Sequence, residues 1–458
     1  MNEAIFRPND IRGIVGEDFD QGDAYQIGVA IARSGAIKST GRLIVGRDQR
    51  NSSEALATAV SSGLRSRGHS VIDIGLCTTP MMCFAVNEDN AVGGVMVTAS
   101  HNPPEYNGFK IVKENAVPIG IDSGLPEIKR RAFQTHPVAT GAVGNSIRTA
   151  MIYDYSSFFK ERFTIDTHPP IVIDTGNGAV GAVLPTILHD ANVDYVPMFF
   201  TPEGIPTNHV ANPLKEENLV ALKTRMKTID GSIGVAFDGD GDRVFFIDED
   251  GRTVSGDLMT ALLIEHTLRN KDPETDPFPA VIYDVRCSLV VPETIMKYGG
   301  YPVRSKVGYS FIKAAMAKED AIFGGELSGH YYYRDFFNGE SGILTMLRVI
   351  EILNATGKTL VELIQPYRKY TQSGEINFKA SDVPKAMLEI ENMYPDTSRD
   401  RLDGVTITHR HDSLGCPDWW LNLRSSNTEP LLRLNVESPD ANRTAEIVEQ
   451  VRACISSV

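Results

Sequence analysis

The sequence predicts an α/β protein: three similar strand–helix–strand sandwich units followed by a smaller α+β unit. Three observations predict it. Apolar runs of strand length alternate with segments of helical periodicity through most of the chain. Three times, such a unit ends on a strand that delivers a polar, glycine-containing loop. The 458 residues also exceed one ordinary core, and length alone points to about three domains.

The elements follow in order. In the first unit, RLIVGRDQ reads as a strand, SSEALATAVSSGLRSRG as a helix and HSVIDIG as a strand; GGVMV then runs into TASHNPPEYNGFK, residues 98–110. The second opens with PPIVIDTGNG, continues as AVGAVLPTILHDA, returns as VDYVPMFF and ends in SIGVAFDGDGDR. The third runs PAVIYDVRC, SLVVPETIMKYG, YPVRSK and helix-like YSFIKAAMAKED, and ends in AIFGGELSGH. Repeated units of this kind imply a largely parallel sheet between helices, with ligands bound outside the carboxyl ends of strands. Linkers are expected at 135–146, 248–257 and 365–375. Beyond the last, EINFKA, GVTITH, WWLNLRSS and LLRLNVES read as strands mixed with two helices, a different fold class. The expected domains are therefore 1–146, 147–252, 253–366 and 367–458.

Composition narrows the function. Hydrophobic content of 42% and charged content of 23% are those of a globular protein. A formal charge of −14 argues against nucleic acid or a polybasic membrane role, but leaves room for an anionic small molecule held by a local arginine cluster. No apolar run approaches the roughly 18 residues of a membrane helix, and MNEAIFRPND lacks the regions of a signal peptide. The five cysteines show no CxxC spacing, so neither a disulfide framework nor a zinc site is expected. A cytoplasmic protein is expected.

Chemistry concentrates in the loops. In TASHNPPEYNGFK, Pro103 and Pro104 forbid a helix, so Ser100, His101 and Lys110 stand on a stiffened loop at a strand end. DGDGDR, residues 238–243, sets Asp238, Asp240 and Asp242 at alternate positions. Three such carboxylates repel unless a cation lies among them, and oxygen-only ligands indicate a hard ion, Mg²⁺ or Ca²⁺. An EF-hand would place Glu249 at the twelfth position, but Arg243 replaces the turn glycine at the sixth and both flanks read as strands. Arg243 directly after the carboxylates suits a site where metal and guanidinium share one phosphate. GELSGH supplies Glu326, Ser328 and His330, groups suited to vicinal sugar hydroxyls. RSSNTEP, with Arg424, Ser426, Asn427 and Thr428, fits either a phosphate cradle or a plain polar turn.

With these four motifs in this order, the chain resembles the α-D-phosphohexomutase family, the bacterial phosphoglucomutases and phosphomannomutases, over nearly its whole length. The resemblance implies four domains, three of one α/β fold and a C-terminal α+β domain. It also implies reversible interconversion of hexose 1-phosphate and hexose 6-phosphate, of mannose, glucose or both, through a 1,6-bisphosphate that also serves as activator. By resemblance Ser100 is carried as phosphoserine, and Mg²⁺ is held by Asp238, Asp240, Asp242 and the Ser100 phosphate. Lys110 matches the general acid/base, and Arg12, His101 and Arg243 match the surrounding electrostatic residues. Glu326 and Ser328 match the contacts to O3 and O4, with His330 beside them, and Arg424, Ser426, Asn427 and Thr428 match the cradle of the non-reacting phosphate. The only partner implied is a small phosphosugar, bound by a monomer or dimer.

Departures from the family pattern are local. Asn9 stands where a tyrosine is usual before DIRG, Arg286 replaces a lysine and Tyr309 a histidine, which puts the third domain's sugar contacts in question. Leu327 argues against the glucosamine-specific branch, a phosphoglucosamine mutase being one alternative. The other is a metal-dependent sugar-phosphate phosphatase using DGDGDR, which leaves Ser100, GELSGH and RSSNTEP without a role.

Overall fold

The computed structural model describes residues 1–134, 142–380, 382–410, 417–425 and 431–457. The chain divides into two compact units, Met1–Ser255 with Ser328–Val361, and Gly256–Leu327 with Glu362–Val458.

The first unit carries two mixed sheets. In one, strands Ile11–Ile14, Tyr106–Lys113, Gly93–Val97, Arg42–Arg47, Ser70–Leu76 and Ser146–Arg148 lie side by side in that order. Its central strands are parallel, as expected, with Leu43 opposite both Val71 and Gly93. Tyr106–Lys113, however, runs antiparallel to Gly93–Val97, with Val97 opposite Phe109. The cause is loop length: residues 98–105 can close a hairpin but fall short of the dozen or so residues a parallel crossover needs.

The other sheet repeats the device. Ile233–Phe237 is parallel to Ile171–Asp174 but antiparallel to Val244–Ile247, with Phe237 opposite Val244 across the acidic loop. Every residue of these three strands is buried, which explains their continuous apolar runs. Both signature loops are therefore hairpin tips on strands that cannot shift without exposing core.

Helices cover the sheets. Gln21–Arg33 opens with a capping box between Asp20 and Asp23 and buries Ile27 and Ile31 in a core shared with Leu56, Val60, Leu64 and Phe109. Phe84, Tyr155, Phe158, Phe159 and Phe336 form an edge-to-face and tilted aromatic cluster in the same unit. Ser341 caps helix Gly342–Thr356 by accepting from the Leu344 N–H, and Gly357 ends it in the left-handed region.

In the second unit, Ala280–Asp284 has parallel neighbours Tyr301–Ser305 and Phe323–Gly325. Helices Gly256–Arg269, Val290–Lys297 and Tyr309–Lys318 accompany them. The rest is α+β, as expected from its strand pattern. Pro417–Ser425 pairs antiparallel with Val405–Arg410 and Leu431–Ser438. This sheet shares a core of Trp419, Leu421, Leu434, Ile390, Ile447 and Val451 with helices Val383–Met393 and Ala441–Ser457. No helix among the described residues is long and apolar enough to cross a membrane.

Candidate active site

Ser100 sits just past the buried strand Gly93–Val97 with φ at +52°, in the left-handed region that costs a non-glycine residue roughly 1–2 kcal/mol. Hydrogen bonds hold it there. Its N–H donates to Thr98 Oγ1 at 2.8 Å, and its carbonyl accepts from Arg50 Nη2 at 2.8 Å. Its hydroxyl is buried, donates to Asp238 Oδ2 at 2.7 Å and lies 3.0 Å from His101 Nδ1. The Ser100 loop of the first sheet and the acidic loop of the second thus meet at one hydrogen bond. Gly239 permits the approach, because a Cβ there would fall 2.5 Å from the Ser100 carbonyl oxygen.

The acidic loop is held by its main chain. The carbonyls of Gly239, Asp240 and Gly241 accept from the N–H groups of Ala179, Thr79 and Gly342, and Asp238 Oδ1 accepts from the N–H groups of Gly241 and Arg243. With the carbonyls used, what faces the site is carboxylate. Asp238, Asp240 and Asp242 are all buried, and one oxygen from each lies within 4.8 Å of the others. Each like-charged pair at that range costs about 3–4 kcal/mol at an effective dielectric of 20. Two cations offset part of this. Lys110 Nζ donates to Asp240 Oδ2 at 2.7 Å and also to Asp242, and Arg243 Nε stands 3.7 Å from Asp238.

Among the described residues the buried Oδ1 of Asp240 has no hydrogen-bond donor, and Asp242 Oδ1 lies 3.4 Å from His330 Nε2. Burial, then the neighbouring Asp242 and Asp240, raise Asp238 well above the ordinary carboxylate range. Burial opposes ionisation of Asp242 as well, but Lys110 holds it well below. Burial also disfavours charge on Lys110, and the three carboxylates outweigh it, raising Lys110 well above its usual value. Burial and the Arg243 and Arg12 cations push His101 well below the ordinary histidine value, so its ring is neutral. Three clustered, buried carboxylates, with Asp240 Oδ1 lacking a donor among the described residues, fit a hard divalent cation.

The remaining predicted residues fall into two groups. Arg12 Nη1 donates to Asn102 Oδ1 at 2.7 Å and to the Ala99 carbonyl at 3.3 Å, so it braces the Ser100 loop. His330 Nε2 lies 3.2 Å from Arg243 Nε and 3.4 Å from Asp242 Oδ1, and its Nδ1 lies 3.0 Å from Ser328 Oγ. Ser328 and His330 therefore belong with the acidic loop. In the second unit Arg286 forks onto Asp284, with Nη2 at 2.8 Å and Nε at 3.1 Å, and lies 3.7 Å from Glu326. Arg424 Nη2 donates to Glu375 Oε2 at 2.6 Å, a carboxylate that Arg433 and Arg286 also approach, at 3.5 and 3.9 Å. Tyr309, half-buried, begins helix Tyr309–Lys318. Ser426, Asn427 and Thr428 lie outside the described residues.

Residues not foreseen are Asp48, Arg50, Thr79, Thr98 and Glu375. Thr79 Oγ1 donates to Asp240 Oδ2 at 2.5 Å. The signal for the first two was present in GRDQRNSSE, a burst of charge directly after an apolar strand.

Models of known families match this chain in four consecutive segments. They are the phosphoglucomutase/phosphomannomutase alpha/beta/alpha domains I (residues 3–137), II (154–251) and III (255–370) and the C-terminal domain (375–453). The phosphohexose mutases of Xanthomonas campestris pv. campestris strain B100 are 38% identical over 468 residues, covering 99% of this chain and all of theirs. A phosphomannomutase of Methanocaldococcus jannaschii is 34% identical over 457 residues, covering 99% of this chain and 98% of its own. The solved structure of a phosphoglucomutase/phosphomannomutase family protein from Burkholderia thailandensis superposes with a TM-score of 0.88 at 27% identity, covering 100% of this chain and 98% of that one.

Proposed function

Since the chain belongs to the phosphoglucomutase/phosphomannomutase family of hexose phosphate mutases, we propose that Ser100 carries the phosphoryl group it transfers. The observation that carries this reading is the Ser100 hydroxyl, 2.7 Å from Asp238 Oδ2 at the edge of three buried carboxylates. Asp238, Asp240 and Asp242, with a Ser100 phosphate, would hold Mg²⁺. When bound there, the ion supplies charge neutralisation and polarisation of the phosphoryl oxygens.

The chain's own groups do the rest. The phosphoryl group leaves Ser100 for a sugar hydroxyl at C6 or C1, giving a 1,6-bisphosphate; Lys110 is the candidate acid/base, its ammonium giving a proton to the departing Ser100 oxygen and being restored by the proton that the sugar hydroxyl loses. After the bisphosphate turns over, its other phosphate returns to Ser100 and the proton is given back. Arg12, His101 and Arg243 surround the developing charge. Glu326 and Ser328 would hold O3 and O4, which exchange places when the sugar reverses. If O2 is unread, mannose and glucose phosphates are both substrates, since they differ only at C2. Arg424 is the described member of the proposed phosphate cradle. Domain limits near 146, 252 and 366, a monomer or dimer and a cytoplasmic setting belong to the same reading.

The test is to expose the protein to hexose 1,6-bisphosphate and Mg²⁺, then locate phosphate by fragmentation mass spectrometry. One phosphate on Ser100 is expected. Phosphate on another residue, or on none, would contradict the reading.

A further inference from the structure

The Ser100 loop is held by a group that none of the four motifs contains. Arg50 is buried and spends all five of its N–H donors. Nε donates to Asp48 Oδ2 at 3.0 Å. Nη1 donates to the carbonyls of Pro103 at 2.6 Å and Tyr106 at 2.9 Å, and Nη2 to those of Ser100 at 2.8 Å and Asn102 at 2.7 Å. Asp48, fully buried, also accepts from the Arg50 N–H at 3.0 Å, Ser53 Oγ at 2.5 Å and Thr98 Oγ1 at 2.8 Å. Thr98 Oγ1 in turn accepts from the Ser100 N–H.

One buried ion pair thus grips Ser100 from both sides, its carbonyl through Arg50 and its N–H through Thr98 and Asp48. Ser100 needs such a grip, because its left-handed backbone is unfavourable for a residue with a Cβ. Four carbonyls gathered on one planar fork also forbid the loop from relaxing one peptide at a time. A lysine would keep the charge but could not span them, having a point charge in place of the fork.

We propose that Arg50, with Asp48 behind it, is a positioning residue that holds Ser100 Oγ toward the acidic loop. With all five donors spent on the protein, Arg50 would act through Ser100 and not on the substrate. The proposal rests on the reading of Ser100 as the phosphoryl carrier, but its geometric half can be measured apart from that reading.

Arg50→Lys is the variant to make, tested by mutase kinetics and by amide hydrogen exchange of the full chain. A positioning role predicts kcat lower by about 100-fold with KM within about threefold, as expected for a reacting group displaced by an ångström or so. It also predicts amides of residues 99–106 exchanging at least roughly tenfold faster while the strands of both sheets keep their protection. Unchanged exchange in that loop, or a uniform loosening of the whole unit, would overturn the proposal. Faster loop exchange in a protein whose wild type moves no phosphate would instead remove the functional reading and leave the clamp. Should Arg50→Lys fail to fold, Thr98→Val cuts the other tie. A fall in kcat of about tenfold with KM unchanged is then expected, and an unaltered kcat would overturn the proposal.

Discussion

At the scale of the residue, charge organises the site. Three buried carboxylates face two cations, Lys110 buried and Arg243 partly buried, and the hydroxyl of Ser100 donates to one of the carboxylates. Ser100→Ala should lower mutase kcat by at least roughly 1,000-fold, the order seen when a covalent nucleophile is removed, while substrate binding by calorimetry stays within a few-fold. Asp240→Asn removes one charge from the cluster and should weaken Mg²⁺ binding at least about tenfold, read by titration calorimetry without any substrate. Away from the site, His209 Nε2 pairs with Asp174 Oδ2 at 2.9 Å, and its ring meets Phe199 edge-on. Burial works against a charged ring there, but the Asp174 carboxylate prevails and raises the His209 pKa. A histidine raised on folding stabilises fully below its unfolded pKa, near 6.5, and loses that contribution as pH rises through the folded value. The stability gap between wild type and His209→Gln in urea unfolding should therefore shrink from pH 6 to pH 9; a gap independent of pH would show that His209 stays neutral. Ser100 and the aspartates are legible in the sequence because each stands in a short motif whose chemistry is local. Arg50 is not, because its partners are carbonyls 50 to 56 positions away, and carbonyls leave no mark on composition.

At the scale of the element, two hairpins bring the site together. Strand positions are legible as apolar runs, but their direction is not, because buried parallel and buried antiparallel strands read alike. Loop length carries that information, and residues 98–105 and 238–243 are both too short for a crossover. The close approach of the hairpin tips is a property of glycine. Gly239 faces the Ser100 carbonyl, and Gly178 faces the Gly239 carbonyl, where a Cβ would stand at 2.9 Å. Gly239→Ala must push the two loops apart, since its neighbour is main chain and cannot rotate away. It should destabilise by about 1–3 kcal/mol and reduce turnover more than stability loss alone accounts for. Denaturant unfolding and kcat measured on the same sample separate the two, and a normal kcat would mean that the loops do not need this spacing.

At the scale of the whole molecule, an acidic chain handles an anionic substrate by keeping its cations local. The charge of −14 is spread over the chain, whereas Arg286, Arg424 and Arg433 converge on the single carboxylate of Glu375. That convergence supports the proposed phosphate cradle in the second unit. Arg424→Lys should raise KM for hexose phosphate by about tenfold with a smaller effect on kcat, as expected where a fork contacts a phosphate that takes no part in the chemistry. The four-domain α/β and α+β order is legible because patterning repeats along the chain, while Ser426, Asn427 and Thr428 lie outside the described residues. The account's central claim is that this chain moves a phosphoryl group between C1 and C6 of one hexose through Ser100. The measurement that tests it most directly is ³¹P NMR of the wild type and Ser100→Ala with Mg²⁺, trace hexose 1,6-bisphosphate and mannose 1-phosphate or glucose 1-phosphate. The account predicts that the wild type turns the 1-phosphate signal into a 6-phosphate signal and that Ser100→Ala does not; inorganic phosphate as the main product, or equal turnover by both proteins, would contradict it.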